Sequence, residues 1–315
     1  VQNINDGGTA TNNTINSSGL QNINNGGLGI NNNVNSGGTQ HIFNGGTGYD
    51  NKIENGGTQI VDEGGVTVSA TVISGGTADV GSGGVEEGTN LGKDGTEIVS
   101  SGGETIGTNV GSGGSQISEL GGTTTATNVS AGGSQTVDGK DVDSTVLSGG
   151  QQTVENAGQA TETDIVGGEQ TIKAGGEADA ASLSSGGSQI SELGGVTKNT
   201  NINEGGSQTV GGTDYNALVN AGGEQSVVSG GTAIETELHG GNQAVGNQGL
   251  AVGTDIYAGT QTVQAGGSTG NTVILGGSQV VEDKGTAQNT NVYGGTQTVE
   301  SGGAAVSTDL EGGNQ

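Results

Sequence analysis

Glycine pairs recur along the chain at a nearly constant interval, and this period restricts the fold more than any other feature. Counted from the second glycine of each pair, the spacing over positions 8–133 alternates between eleven and eight, which gives a 19-residue repeat with two unequal halves. After position 231 the alternation becomes eight and ten, and the segments 133–139 and 206–212 are shortened. A period of this length predicts a solenoid of stacked coils, each of which contacts its neighbours.

Aliphatic side chains occupy one fixed position in each half of the repeat. In the long half, the position seven places after the opening glycine is aliphatic in every repeat, from Ile15 to Leu310. In the short half the column runs from Ile4 to Val299 and is interrupted at two serines, where four neighbours are expected to supply the apolar contacts: Ile117, Leu120, Ile190 and Leu193. Alternation with polar residues predicts a short strand in each half.

A second column lies two residues before each aliphatic one and therefore shares its face of the strand. In the long half it is mostly Thr, with Ala at positions such as Ala70. In the short half it is Gln, except at Ala78 and Glu97. Glutamines stacked in register predict ladders of side-chain amides. We expect about three inward side chains per coil, since alternate residues of each strand face inward.

These columns predict an all-β fold, a right-handed parallel β-helix of about 17 turns with 18–19-residue repeats. An α-helix is excluded because each interior Gly would cost ~1 kcal/mol and every repeat contains several. The first and last residues both fall inside a repeat. We therefore interpret residues 1–315 as a single β-helix fragment, truncated at both ends within repeats.

The charge balance excludes several kinds of partner. The chain has 6 basic and 33 acidic residues, a net charge of −27, and all of its basic residues are Lys. No basic patch can form, so nucleic acid is not expected as a partner. An anionic membrane surface would repel the chain, and we expect no membrane insertion by this segment. Cys is absent, which excludes disulfides and thiolate metal sites.

No catalytic motif is recognisable, and the sequence predicts neither an enzyme nor a cofactor or metal site. His41 and His239 lie in different columns of the repeat. Acidic pairs such as Glu86-Glu87 and Asp141/Asp143 are interpreted as solvated outer faces. One alternative is a carbohydrate-active β-helix enzyme, which would need clustered carboxylates and sugar-binding aromatics on one face. A passive spacer for a distal binding tip is another.

Two further motifs have simple interpretations. Residues 45–50, GGTGYD, match the start of a calcium-binding nonapeptide, but the match occurs once and the surrounding period is not that of nine-residue turns. Calcium binding is therefore not predicted there. Tyr257 and Tyr293 fall in one outward column two turns apart. They are expected to be surface aromatics.

Serine often precedes the glycine pairs. Its Oγ stabilises turns, and this alone accounts for its presence there. The alternative is that these serines are exposed acceptors for O-glycosylation, and the candidates are Ser36, Ser74, Ser82, Ser101, Ser112, Ser148, Ser185, Ser229 and Ser301.

The 19-residue unit resembles the passenger repeat of the AIDA/TibA/antigen 43 group of self-associating autotransporters. The unit is illustrated by GTQIVDEGG followed by VTVSATVISGG at positions 57–76, and the resemblance covers the whole chain. It implies an outer-membrane translocator downstream and export through the outer membrane to the bacterial cell surface. It also implies adhesion to a host-cell surface receptor, autoaggregation through copies of the chain on neighbouring cells, and biofilm formation. In some members a heptosyltransferase modifies passenger serines, which the resemblance transfers to the nine serines above.

Overall fold

The computed structural model describes all 315 residues and contains strands and turns without a helix. The chain winds into a parallel β-solenoid of about 16 coils, in agreement with the predicted number. Each coil contains three strands, which we call a, b and c. In the coil that follows Gly8 they are Thr9–Thr11, Thr14–Ile15 and Leu20–Ile23. No helix is present that is long and apolar enough to cross a membrane.

The chain forms two compact units, Val1–Thr153 with Ala157–Ala160, and Val154–Asn156 with Thr161–Gln315. In the first unit the a strands are Thr9–Thr11, Leu28–Ile30, Thr47–Tyr49, Val66–Val68, Val85–Glu87, Glu104–Ile106, Thr123–Thr125 and Lys140–Val142. Its b strands are Thr14–Ile15, Asn33–Val34, Lys52–Ile53, Thr71–Val72, Asn90–Leu91, Asn109–Val110, Asn128–Val129 and Thr145–Leu147. Its c strands are Gln2–Ile4, Leu20–Ile23, Thr39–Phe43, Thr58–Asp62, Thr77–Val80, Thr96–Val99, Ser115–Ser118 and Ser134–Val137.

The division between the units falls within two strands, the c strand Gln151–Val154 and the a strand Gln159–Thr161. The a strands of the second unit are Glu177–Asp179, Val196–Lys198, Thr213–Tyr215, Thr232–Ile234, Leu250–Val252, Ser268–Gly270, Thr286–Gln288 and Ala304–Val306. Its b strands are Asp164–Val166, Ser182–Ser184, Asn201–Ile202, Leu218–Asn220, Val273–Ile274, Asn291–Val292 and Asp309–Leu310. Its c strands are Glu169–Ile172, Ser188–Ser191, Ser207–Val210, Glu224–Val227, Ser278–Val281 and Thr296–Val299, while b and c are continuous in Glu237–Val245 and Asp255–Val263.

Within each unit, every strand pairs in parallel with the equivalent strand one coil away. The sequence offset between partners is nineteen at Val66↔Val85, eighteen at Leu238↔Ile256 and seventeen at Thr124↔Asp141. The register of inward side chains is kept despite these differences, because residues are lost from the corners and not from the strands. The irregular spacings seen in the sequence are therefore shortened corners.

The prediction of two strands per repeat was wrong in the long half, which bends into the separate strands a and b. A residue with positive φ lies at the bend, such as Asn12 (φ 57), Asn31 (φ 51) or Asn289 (φ 54). Asn tolerates this left-handed conformation better than most residues. Ala and Glu adopt it at the same bend in other coils, so the local residue favours the bend but does not determine it. The glycine pairs lie at the corners of the coil. Gly83 has φ 78, and a Cβ on Gly84 would lie 2.0 Å from the carbonyl oxygen of Val61.

The two aliphatic columns form the core, as predicted. Val34, Val61 and Ile256 are fully buried, whereas Val299 and Leu310 are 36% and 47% exposed. The inward Thr column is also confirmed, since Thr89 and its equivalents as far as Thr290 are buried. The expected number of three inward side chains per coil was too low. The middle residue of strand a and the Gln column also point inward, which gives five.

Two serines in strand c keep the inward position, contrary to expectation. The four residues predicted to replace them are half-buried or exposed, namely Ile117, Leu120, Ile190 and Leu193. The reason is the shortened corner of the following coil, where the backbone passes close to the serine. The Gly212 N–H donates to Ser191 Oγ at 3.1 Å, and a Cβ on Gly139 would lie 2.6 Å from Ser118 Oγ. Valine would need space that this backbone fills.

The buried glutamines form the predicted amide ladder. Where two glutamines are neighbours in the column, Nε2 donates to the Oε1 of the Gln one coil earlier, for example at 2.7 Å from Gln40 to Gln21 and at 2.6 Å from Gln243 to Gln225. Thr side chains immediately before strand b donate to the same oxygens, as Thr236 does to Gln225 at 3.2 Å. Because most members are satisfied on both sides, the ladder adds specific hydrogen bonds to a core that contains few large apolar side chains.

Candidate functional site: serines at the coil corners

The nine candidate serines lie at two edges of the coil, and all nine are exposed. The corner between strands b and c carries Ser36, Ser74, Ser112, Ser148 and Ser185. The corner between strands c and a carries Ser82, Ser101, Ser229 and Ser301. The sequence could give their turn position, and the structure adds that their side chains face solvent.

Backbone hydrogen bonds hold these corners in place. At Ser36 the turn is closed by Gly38 N–H, which donates to the Asn35 carbonyl oxygen at 2.7 Å. The corner is joined to the next coil by Gly37 N–H, which donates to the Gly56 carbonyl oxygen at 3.3 Å. The serine side chain lies outside both bonds. Each Oγ is therefore a primary alcohol on a fixed backbone, accessible to a transferase.

The spacing of the serines leaves room around each one. In the first unit, Ser36, Ser74, Ser112 and Ser148 occupy every second coil of the b–c corner. Since adjacent strands lie about 4.8 Å apart, serines two coils apart are separated by about 10 Å. A substituent larger than an amino-acid side chain fits at each of these positions without meeting the next one.

Turn chemistry does not account for every one of these serines. Ser74 and Ser185 have φ values of 53 and 54, a left-handed conformation in which Gly and Asn are preferred. Serine at these two corners is thus not the residue that the turn favours. Ser229 differs from the others because its Oγ donates to Gln248 Oε1 at 2.8 Å, which makes its hydroxyl less available.

The interpretation of all acidic residues as solvated was wrong for Glu86 and Asp141, which are fully buried. Asp214 is buried as well and was not identified as an interior acid, and Glu97, which the sequence places in the Gln column, is also buried. Burial raises the pKa of Asp141, and it raises the pKa of Asp214 to about 6. A signal was present in the sequence. Three of these acids stand two residues after a corner glycine, where other coils have Ala, Thr or Gly.

The two histidines belong to separate local contacts within their own units. His41 Nε2 lies 3.2 Å from Asp62 Oδ1, and its ring is 4.3 Å from that of Phe43. His239 Nε2 lies 3.0 Å from Glu237 Oε2. Neither is placed beside a nucleophile as an acid–base catalyst would be.

The calcium-like segment GGTGYD forms a corner and the a strand Thr47–Tyr49, followed by Asp50 at an exposed bend with φ 50. No group of three or more His, Asp or Glu side chains is arranged to hold a metal ion.

An acidic groove of ≈ 570 Å³ lies beside strands a and b of the second unit. It is lined by Glu235, Glu237 and Asp255 among others. Burial raises the pKa of Asp255, and the neighbouring Glu237 and Glu235 raise it further. A small aromatic column runs close by, with Tyr257 and Tyr293 43% and 47% exposed, as expected for outward residues.

Comparison with known proteins gave one informative result. No family model and no curated protein matches the chain. Among solved structures, the chain is similar to a TibC-catalysed, hyper-glycosylated fragment of TibA, with 30% sequence identity, a TM-score of 0.74 and coverage of 98% of this chain and 99% of that one. The TibA fragment is an autotransporter adhesin passenger and not an enzyme. By fold, repeat and sequence identity, this chain belongs to the family of AIDA/TibA-type autotransporter adhesin passengers.

Proposed function

We propose that the chain acts at the bacterial cell surface, after export through the outer membrane, in adhesion, autoaggregation and biofilm formation, and that its corner serines carry O-linked heptose. The observation that supports glycosylation most directly is the exposure of all nine serines on hydrogen-bonded corners. The similar TibA fragment was glycosylated by TibC. A heptosyltransferase is the corresponding partner of this chain.

Self-association would use the outward polar ladders of the coils. In the first unit, Asn22 Nδ2 donates to Asn3 Oδ1 at 2.8 Å, and Asn24 Nδ2 donates to Asn5 Oδ1 at 2.8 Å. Each amide retains one N–H and one lone pair for a partner molecule. A single contact between two copies would be weak, but many in register add through avidity. The net charge of −27 opposes this association at low salt.

Glycosylation is tested by co-expressing the chain with a heptosyltransferase, followed by intact mass measurement and peptide mapping. We expect sugar on corner serines and little on a matched set of half-buried serines that begin c strands: Ser115, Ser134, Ser188 and Ser207. Substitution of the nine corner serines by Ala should abolish the added mass, whereas Ala at the matched set should not. Sugar distributed equally over both sets would contradict the assignment.

Adhesive function is tested by a settling assay. Beads bearing the chain, with and without glycosylation, are compared with beads bearing an unrelated β-helix of similar size, at several salt and Ca²⁺ concentrations. Clumping of this chain alone supports self-association. Absence of clumping in every condition leaves the passive spacer.

A carbohydrate-active role is a second candidate function. The acidic groove supports it, because Glu237 and Asp255 line this groove and are register partners in adjacent coils. Binding or cleavage of oligosaccharides that is lost in Glu237→Gln would favour that role.

A further inference from the structure

Three buried acids occupy the same place in the solenoid, the middle of strand a. Asp214 accepts hydrogen bonds from Thr197 Oγ1 at 2.7 Å, Gln208 Nε2 at 2.9 Å and Gln225 Nε2 at 2.9 Å. Asp141 has the corresponding donors, a Thr at 2.6 Å and two Gln at 2.8 Å. In both cases the two Gln side chains flank the carboxylate in the amide ladder. Asp141 has a fourth donor, Ser144 Oγ at 2.8 Å. Three or four donors on a buried carboxylate offset much of the cost of removing its charge from water.

Glu86 is the third of these acids, and it lacks both ladder donors. The two flanking ladder positions hold Ala78, which has no polar group, and Glu97, which is an acceptor. Glu86 Oε1 accepts from Thr89 Oγ1 at 2.8 Å, whereas its Oε2 is buried without a partner. Glu97 is better supplied, with Gln116 Nε2 at 2.6 Å and Thr108 Oγ1 at 3.0 Å from its Oε2. Of the two carboxyls, Glu97 therefore has the environment of a carboxylate and Glu86 that of a protonated acid.

The coil containing Ala78 has small inward side chains, and unpartnered polar atoms surround it. Ala78 stands in ladder register between Gln59 and Glu97. Three further buried atoms without a partner belong to this coil or the preceding one: Asn51 Nδ2, Gln59 Oε1 and Thr67 Oγ1. Two of them face a common point, since a Cβ on Gly48 would lie 2.5 Å from Asn51 Nδ2 and 3.6 Å from Thr67 Oγ1.

The donors and acceptors in this set match the bonding capacity of water. Asn51 Nδ2, the Thr67 hydroxyl and the protonated Glu86 carboxyl, through Oε2, can donate, and Gln59 Oε1 can accept. Replacing a ladder Gln by Ala removes a methylene and an amide, and a water occupies about 30 Å³ of liquid volume. A cation would satisfy the oxygens but would be repelled by the amide N–H of Asn51. Water serves both kinds of group.

We propose that the coil of Thr67, Ala70 and Ala78 encloses ordered water, and that this water and the Glu86–Glu97 pair form an internal proton-binding site on which the stability of the surrounding coils depends. The titratable groups on the strands packed against the pair are Asp79, Glu87 and Glu104, which all point outward. No Lys or His faces the pair from these strands, so a proton is the available counter-charge.

Burial raises the pKa of both Glu86 and Glu97, and the charge of Glu97 raises that of Glu86 further. A carboxyl whose pKa is higher in the folded than in the unfolded chain stabilises the fold at low pH. That stability is lost as the pH rises through the folded-state pKa. The coils around Ala78 should therefore lose stability as the pH is raised above neutral. The smaller stabilisation that protonated Asp214 gives to its own coils is lost at lower pH.

The test uses infrared spectroscopy on the intact chain, which detects the carbonyl stretch of a protonated carboxyl. At neutral pH we expect this band in the parent chain and in the outward control Glu87→Gln, and its loss in Glu86→Gln. Ala78→Gln supplies the missing amide donor without removing an acid, so it should shift the titration of the band to lower pH. Absence of the band at neutral pH, or a band that persists in Glu86→Gln, would overturn the proton site.

The water is tested separately by a high-resolution crystal structure of the parent chain and of Ala78→Gln. Density for water within hydrogen-bond distance of Gln59 Oε1 and Thr67 Oγ1, displaced in the variant, supports the proposal. An empty cavity, or a metal ion at that position, would refute it.

Discussion

Truncation of one ladder glutamine, Gln261→Ala, measures what the buried amide ladder contributes. Gln261 Nε2 donates to Gln243 Oε1 at 2.6 Å and to Thr254 Oγ1 at 3.0 Å. Its Oε1 accepts from Gln279 Nε2 at 2.7 Å and from Thr272 Oγ1 at 3.3 Å. The substitution removes all four bonds and leaves polar atoms of both neighbouring glutamines without their ladder partner.

The expected loss follows from these contacts. Each of the two ladder bonds leaves a buried polar group short of a partner, which costs about 1–3 kcal/mol. The lost methylene adds about 0.8 kcal/mol. We therefore expect the free energy of unfolding to fall by roughly 3–5 kcal/mol, since Thr254 and Thr272 offset part of the loss.

Urea unfolding followed by far-ultraviolet circular dichroism measures this change, and hydrogen exchange at the amide of Val263 localises it to the affected coils. Gln261→Leu keeps the volume without the hydrogen bonds and should be nearly as destabilising. The adjacent outward residue provides the control, because Thr262→Ala should change stability by about 0.5 kcal/mol or less. A loss in Gln261→Ala no larger than that of Thr262→Ala would refute the argument that the ladder stabilises the solenoid.

Three further predictions concern single positions. Because burial raises the pKa of Asp214 to about 6, its protonated carboxyl should stabilise the fold by about 3 kcal/mol, and this contribution should be lost as the pH rises from about 4 to 6. Asp214→Thr should weaken the dependence of the urea unfolding midpoint on pH over that range. An unchanged slope of the midpoint against pH would contradict this. Ser191→Val should destabilise the second unit by about 1–3 kcal/mol through overpacking against the Gly212 corner, whereas the outward Ile190→Val should have little effect in the same melts. Gly84→Ala should destabilise more than Ser82→Ala, since its Cβ would lie 2.0 Å from the Val61 carbonyl oxygen, and equal thermal midpoints for the two variants would argue against this contact.

The candidate site was accessible from the sequence to different degrees. The nine serines could be placed at corners because the glycine pairs mark each turn, and their exposure follows from that position. The interior acids Glu86, Asp141 and Asp214 were not recognised as such, because strand a was not identified as a separate strand with its own inward residue. The acidic groove places Glu237 beside Asp255 of the adjacent coil. Its shape depends on the corners of more than one coil, so it could not be predicted from the pattern of a single repeat.

The sequence by itself determined the coil, the aliphatic core and the Gln ladder. Each coil stacks on a nearly identical neighbour, so the requirements of packing repeat along the chain and leave a visible period. The tertiary structure alone decided the bend between strands a and b, which sets the direction of every side chain in strand a. It also explains why Ser118 and Ser191 occupy inward positions, because a shortened corner one coil away limits the space there. Such effects depend on differences between adjacent coils, and a repeat pattern records only what the coils share.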